Sequence, residues 1–448
     1  MSKYVLPPGP KAHYPGELWV AIYKDLLGFL TRVAHEYGDI GHAPFGHEHA
    51  ILINHPDYVR DVLVTHAKDF TVNQILKTAQ LFWGRTLFST TGDFHLRERR
   101  LLQPLFTRSH LSAYTGVMAE VALAQRERWQ DGARVDVLHE MMRVAMGIAS
   151  RAMVGEDLSP HSEEFSAAAL DAMRYVALMT SLPGGWLINK LPLPATHRFY
   201  QERDRLDTIV QEVIDHRRRS SATHEDTLSH LLRAQQEQGP DGWLTDEQVR
   251  NEVLVMLLAG HETTANALTW TFHLLGQYPE AEAKLHAEVD AVLGGRPPTA
   301  ADVPKLRYTE MVLAEAMRLY PPAWIISRPV LRDFAIGDYF VPQGTIFYIC
   351  MYLLHRRPDF YPDPEKFDPE RMSPEARAAR HHYAYVPFGA GPHQCLGEQF
   401  AWLEGTLVLA TFAQKWRLRP VPGHVPELEP LITLQPKGGL PMIVQRRS

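Results

Sequence analysis

The sequence predicts a mainly α protein with a small β-region, an α+β chain in which helices dominate. Three observations carry that expectation. Apolar residues recur at helical spacing through the middle of the chain, over 111–129, 199–219 and 227–237. One run, Asp246 to Leu275, is far longer than an average helix. Strand-like and turn-like segments gather near the start and after Pro322.

Taken in order, His49 to Asn54 reads as a strand, and Asp57 to Thr65 as a short helix after His55-Pro56. The long run opens on Thr245-Asp-Glu-Gln248, a capping-box pattern, and Gly276 and Pro279 mark its end. About thirty residues at ~1.5 Å each make a rod of roughly 45 Å. Gly337-Asp338 reads as a turn, and Pro342-Gln-Gly344 as another leading into a strand. The segment Leu431 to Val444 reads as a hairpin closed by Gly438-Gly439.

Length alone would accommodate about three domains, yet no stretch reads as a linker, repeat or low-complexity segment. The chain has 448 residues, 45% of them hydrophobic and 22% charged, the balance of a soluble globular protein. A net charge of −6 argues against a nucleic-acid partner, because phosphate binding rests on clustered Lys and Arg. The start, Met1 to Pro10, shows no membrane anchor or signal peptide. Two cysteines in so long a chain suit a reducing, cytoplasmic setting.

Cys395 is the residue with the most chemistry around it. It lies in Phe388-Gly-Ala-Gly391-Pro-His393-Gln-Cys395-Leu-Gly397. Gly391 and Gly397 permit close backbone approaches. Phe400, Leu403, Leu407 and Ala410 then recur at helical spacing, so the sulfur is expected at a helix N-terminal end. Orphan amides and the helix dipole there favour a thiolate, a plausible axial ligand for haem iron. Cys350 sits in the apolar run 346–354, where a structural role is the expectation.

Three further groups carry weight by position. Ala259-Gly260-His261-Glu262-Thr263-Thr264 falls in the middle of the long helix. Small residues and a back-bonding threonine could open a groove there, though Ala-Gly also marks ordinary helix packing. Glu315 and Arg318 share a helix face, which alone reads as a surface ion pair; Arg371 follows in Pro369-Glu-Arg371-Met372. His95 and Arg99 share another face, and Arg328 stands in Ile326-Ser-Arg328-Pro329. Each of these alone reads equally well as a solvated side chain.

Together, and in this order along nearly the whole chain, these segments resemble the cytochrome P450 family. The departures are small: His393 stands where the family more often has Arg, and Met372 where it often has Phe or Trp. The resemblance implies a triangular, helix-rich single domain over residues 1–448 with no fused reductase. It implies haem b (iron protoporphyrin IX) ligated by Cys395, with Phe388 and Gly397 framing the ligand. His95, Arg99, Arg328 and His393 become propionate partners. Ala259 and Gly260 border the oxygen site, and Glu262 with Thr263 delivers protons. Glu315, Arg318 and Arg371 form a buried brace.

The implied activity is monooxygenation with dioxygen and two electrons, drawn ultimately from NAD(P)H. No convincing dinucleotide fingerprint is present, so a separate ferredoxin or flavodoxin with its reductase is expected, docking near Arg97, Arg100 and Arg108. Pocket positions carried over from the family are Phe88, Ala259, Thr263, Ala323, Trp324 and Ile432. They point to an apolar substrate: a terpenoid, carotenoid or fatty acid. The Ala323-Trp-Ile run and the Leu-Glu-Gly run beyond the thiol are similar to those of bacterial relatives acting on isoprenoids. The apolar segment Tyr175 to Pro194, containing Pro183-Gly-Gly-Trp186, reads as a lid or a buried loop.

Two other functions remain at this point: a peroxide-driven peroxygenase and a non-catalytic haem-binding protein. Glu262-Thr263 argues against the first. A zinc or nucleic-acid module finds no support, since the 23 histidines include no His-Glu-x-x-His run and no paired Cys-x-x-Cys exists.

Overall fold

The computed structural model describes residues 3–14, 16–45, 48–181, 184–220, 225–239 and 242–447; the side chains at 45, 48, 108, 181 and 186 lie outside the description. The chain divides into two compact units. One comprises residues 1–73 and 314–395, and the other residues 74–313 and 396–448.

The first unit is built on a four-stranded mixed sheet. Its order is Ile40–Phe45, Glu48–Ile53, Ile346–Cys350, Ile325–Pro329. The outer pairings are antiparallel, and the central one is parallel, with Ala50 opposite Ile346. Ile51, Ile53, Phe347 and Ile349 alternate onto one buried face. Phe70 closes over them edge-on to Phe347, with ring centroids 5.4 Å apart. A small hairpin, Phe334–Ile336 with Tyr339–Val341, turns at Gly337-Asp338, where Gly337 takes φ 53° as a two-residue turn requires. The helix after His55 starts on Pro56 and passes into a π-helical turn, Asp61–Thr65.

The second unit is organised around the helix Asp246–Gln277, 32 residues long. It packs along Val137–Val154, whose Ala149 and Met153 face Gly260. A second contact joins Arg108–Arg128 to Glu398–Ala413. The capping box is realised on one side only. The Thr245 hydroxyl accepts from the Gln248 amide at 3.2 Å, while the Gln248 side chain turns inward to bury its own hydrogen bonds.

The C-terminal hairpin is corrected by the structure. The glycine turn forms, with Gly439 N donating to the Pro436 carbonyl, but its arms do not pair with each other. Leu434–Pro436 pairs with Leu428–Pro430, and Pro441–Arg446 pairs with Trp416–Pro420 and Arg134–Asp136. Pro436 and Pro441 lack the N–H groups a tight ladder beside the turn would use. Leu440 N donates instead to Asp136 Oδ1 at 3.0 Å, steering the last strand to its other neighbours.

Among the described residues, no helix is long and apolar enough to cross a membrane.

Candidate active site

The first unit presents the thiol. Gly389 and Gly391 adopt φ 69° and 71°, values open to glycine at little cost. A Cβ on Gly391 would lie 2.0 Å from the Leu63 carbonyl oxygen, so the loop is pressed onto the π-helical turn and admits only glycine there. Cys395 N donates to the Phe388 carbonyl at 2.9 Å, and Gln394 N to the Gly391 carbonyl at 3.0 Å. Cys395 ends the loop exposed, with Phe388 and His393 half-buried beside it in sequence. Gly397 caps the helix Glu398–Ala413, so the thiol precedes a helix start by three residues. Cys350 is buried, and burial pushes its thiol up to about 12, which keeps it protonated and inert. Neither cysteine forms a disulfide.

A continuous set of hydrogen bonds runs from a buried ion pair to this loop. Glu315 and Arg318 are both 0% exposed. Arg318 donates twice to Glu315, each bond 2.8 Å, and also to the carbonyls of His355, Pro364 and Lys366. Arg371 stands 3.7 Å from Glu315, and Asp368 N donates to the same carboxylate at 3.1 Å. Burial pushes the Glu315 carboxyl up, and the Arg318 bonds oppose that. The His355 ring lies at 0% exposure, and burial holds it neutral, well below its ordinary value. Neutrality lets Nε2 accept from Val386 N at 3.0 Å. The Val386 carbonyl then accepts from Gly389 N within the loop.

Arg328 projects from the strand Ile325–Pro329 and donates to the Ser327 carbonyl at 3.0 Å. No carboxylate pairs with it among the described residues, and burial lowers its pKa to about 10. A half-buried cation of this kind suits an anionic ligand group. An exposed thiol on a glycine-shaped loop and a half-buried cation in one unit are a donor set that fits haem with its carboxylates.

The second unit holds Glu262 and Thr263. Thr263 bonds back to the Ala259 carbonyl at 2.8 Å, as threonine in a helix interior can. Ala259 is exposed within a helix that is otherwise largely buried. Burial pushes the Glu262 carboxyl above its ordinary value, and a bond from Thr433 pulls it back. His95 is buried and Arg99 half-buried on the helix Gly92–Leu102. Arg97 and Arg100 on that helix are exposed; the Arg108 side chain lies outside the described residues.

The pocket positions differ in burial. Phe88 and Ala323 are exposed, Ile432 is half-buried, and Trp324 is 1% exposed, an interior side chain. Much of the segment read as a lid or a buried loop is helical, within Ser162–Ser181 and Gly185–Lys190; Pro183 and the Trp186 side chain lie outside the described residues.

Three polar features have no local signal in the sequence. Thr433 and Asn266 bond around Glu262, across 171 and 4 positions respectively. Glu404 is fully buried beside Thr264, its carboxyl pushed well above the ordinary range by burial. Glu98 and Glu252, each 1% exposed, form a buried acid pair. Gln248 bridges them, donating to Glu98 at 2.6 Å and Glu252 at 2.9 Å, and to the Arg85 carbonyl at 2.7 Å. Only Gln248, three residues into the long helix, could have drawn notice.

A helix-rich fold with a glycine-cradled thiol and a braced core defines the class of thiolate haem proteins. The model of the family described as Cytochrome P450 matches residues 7–441, and the chain belongs to that family. The chain is similar to cyclooctat-9-en-7-ol 5-monooxygenase of Streptomyces melanosporofaciens, 37% identical over 90% of this chain and 87% of that protein. It is also similar to pentalenene oxygenase of Streptomyces avermitilis, 33% identical over 91% of this chain and 90% of that one. Among solved structures, the crystal structure of the cytochrome P450DA heme domain superposes with a TM-score of 0.87 at 26% identity, covering 99% of this chain and 98% of that one. The chain is a cytochrome P450 monooxygenase with the fold of that family.

Proposed function

We propose that this monooxygenase hydroxylates a C–H bond of an apolar terpenoid. The observation that carries the reading is the exposed Cys395 on its braced loop, in a chain whose relatives are named for oxidising cyclooctat-9-en-7-ol and pentalenene. Haem, when bound, supplies thiolate-assisted activation of dioxygen. Cys395 would hold its iron. Arg328, His393, Arg99 and His95 would pair with its carboxylates. Glu262 and Thr263 supply and orient protons, with Ala259 and Gly260 leaving room beside the helix backbone. Phe88, Ala323 and Ile432 would offer the substrate apolar surface and no charged anchor. Electrons would arrive from a separate ferredoxin or flavodoxin, with exposed Arg97 and Arg100 as a docking edge for an acidic partner.

The test has two parts. Carbon monoxide added to the reduced, purified protein gives the long-wavelength band of thiolate ligation, and Cys395→Ser abolishes it. Terpenoids then give substrate-type spectral shifts, and small polar ligands do not. A terpenoid panel without shifts, against fatty acids that give them, would reassign the substrate class. A peroxide-driven turnover that outpaces the electron-driven one would reassign the oxidant.

A further inference from the structure

The two halves of the acid–alcohol pair are not bonded to each other in this structure. The Thr263 hydroxyl donates to its own helix, to the Ala259 carbonyl. Glu262 Oε1 instead accepts from Thr433 Oγ1 at 2.5 Å. Thr433 lies in the short connection between Leu428–Pro430 and Leu434–Pro436, where Leu431 N donates to the Thr433 carbonyl at 3.2 Å. Thr433 is itself oriented. Asn266 Nδ2 donates to Thr433 Oγ1 at 3.0 Å, which fills an acceptor site on the hydroxyl and turns its proton toward the acid. The same Nδ2 donates to the Glu262 carbonyl at 3.0 Å, and so ties the relay to the helix turn it serves. Thr433 is 3% exposed and Asn266 0% exposed, so water does not compete for these bonds.

From this geometry we infer that Thr433 and Asn266 are positioning residues for the proton supply: they hold Glu262 Oε1 and leave Oε2 as the atom that carries and releases the proton. The inference rests on the reading of Glu262 and Thr263 as the proton-delivery pair. No residue of the signature run itself fixes the acid. The fixing group comes from a turn at the far end of the chain, whose neighbour Ile432 is among the residues read as substrate contacts. The acid's strength is therefore set by that turn as well as by burial in the long helix.

The experiment uses the haem-loaded protein. The Glu262 carboxyl stretch is titrated by infrared difference spectroscopy and assigned by its loss in Glu262→Gln. Thr433→Val keeps the shape and removes the donor; Thr433→Ser keeps the donor. In Thr433→Val the Glu262 midpoint rises by about one to two pH units, the scale of a lost hydrogen bond to a charged group. Thr433→Ser returns it to the parent value, and Asn266→Ala moves it upward by less. A midpoint in Thr433→Val equal to that of the parent overturns the inference. The second readout is the fraction of consumed oxygen released as hydrogen peroxide, with electrons from a surrogate ferredoxin and its reductase. Glu262→Gln and Thr433→Val both raise that fraction, and Thr433→Ser does not. A fraction unchanged by Glu262→Gln sinks the proton-delivery reading itself. A fraction raised by Glu262→Gln but not by Thr433→Val sinks only the role of Thr433.

Discussion

Replacing Glu98 by Gln removes one buried titratable group and keeps its hydrogen-bonding shape. Burial raises the Glu98 pKa well above the carboxylate range and that of Glu252 by less, and the bond and charge of Glu252 add to the rise at Glu98, while Arg85 and Arg97 oppose it. The pair therefore keeps one proton between its carboxyls across the neutral range. An unfolded glutamate gives up that proton near its ordinary pKa of about 4.3. A folded pKa raised above the unfolded one means that stability is full below the unfolded value and falls as pH rises. One extra proton held in the native state lowers stability by ~1.4 kcal/mol per pH unit. From pH 5 to pH 8 the parent thus loses up to ~4 kcal/mol that the variant does not lose. In Glu98→Gln the new amide donates to Glu252, whose carboxyl burial still holds above its ordinary value, so the variant differs from the parent by the Glu98 proton alone. Urea unfolding of both proteins at pH 5, 6.5 and 8 measures this. The midpoints converge at pH 5 and separate with rising pH, the variant being the more stable. Curves that run parallel across that range would refute the shared proton.

Three more perturbations act on the thiol-bearing unit. Gly391→Ala places a methyl 2.0 Å from the Leu63 carbonyl oxygen at a φ of 71°, and should cost more than ~3 kcal/mol with loss of haem uptake, read from unfolding midpoints and pyridine haemochrome content. Arg318→Lys keeps the charge but cannot make the paired bonds to Glu315 and three carbonyls, so destabilisation of roughly 3–5 kcal/mol is expected by denaturant titration. His355→Leu strands the Val386 amide without its acceptor, a cost of about 1–3 kcal/mol, and should speed amide exchange across 386–395 more than elsewhere in the unit. Equal exchange in parent and variant would remove His355 from the support of the loop.

How much could be read in advance follows from the range of each interaction. The long helix declared itself through periodicity over more than eight turns, and its cap through Thr245. The thiol loop was legible because its glycines, its cysteine and the helix behind it lie within a few residues of one another. Gly391 could be singled out, but its partner, the Leu63 carbonyl, could not, because that approach joins segments more than three hundred residues apart. The hairpin expectation failed for the same reason. Gly438-Gly439 fixed where the chain turns, but partner choice was decided by Asp136 and by strands elsewhere. Buried polar groups are the extreme case. A glutamate on an amphipathic helix reads as solvated unless its partner is known, and nothing local marks Glu98, Glu252 or Glu404 as buried. Arg328 shows the converse: family likeness proposes a carboxylate-pairing role, and its surroundings supply a physical argument for that proposal. A guanidinium set deep enough for burial to weaken its hold on a proton, with no carboxylate pairing with it among the described residues, is stable in that place chiefly when an anion joins it. Haem binding should therefore stabilise this unit by more in the parent than in Arg328→Leu, since the parent alone carries a charge whose burial the ligand offsets.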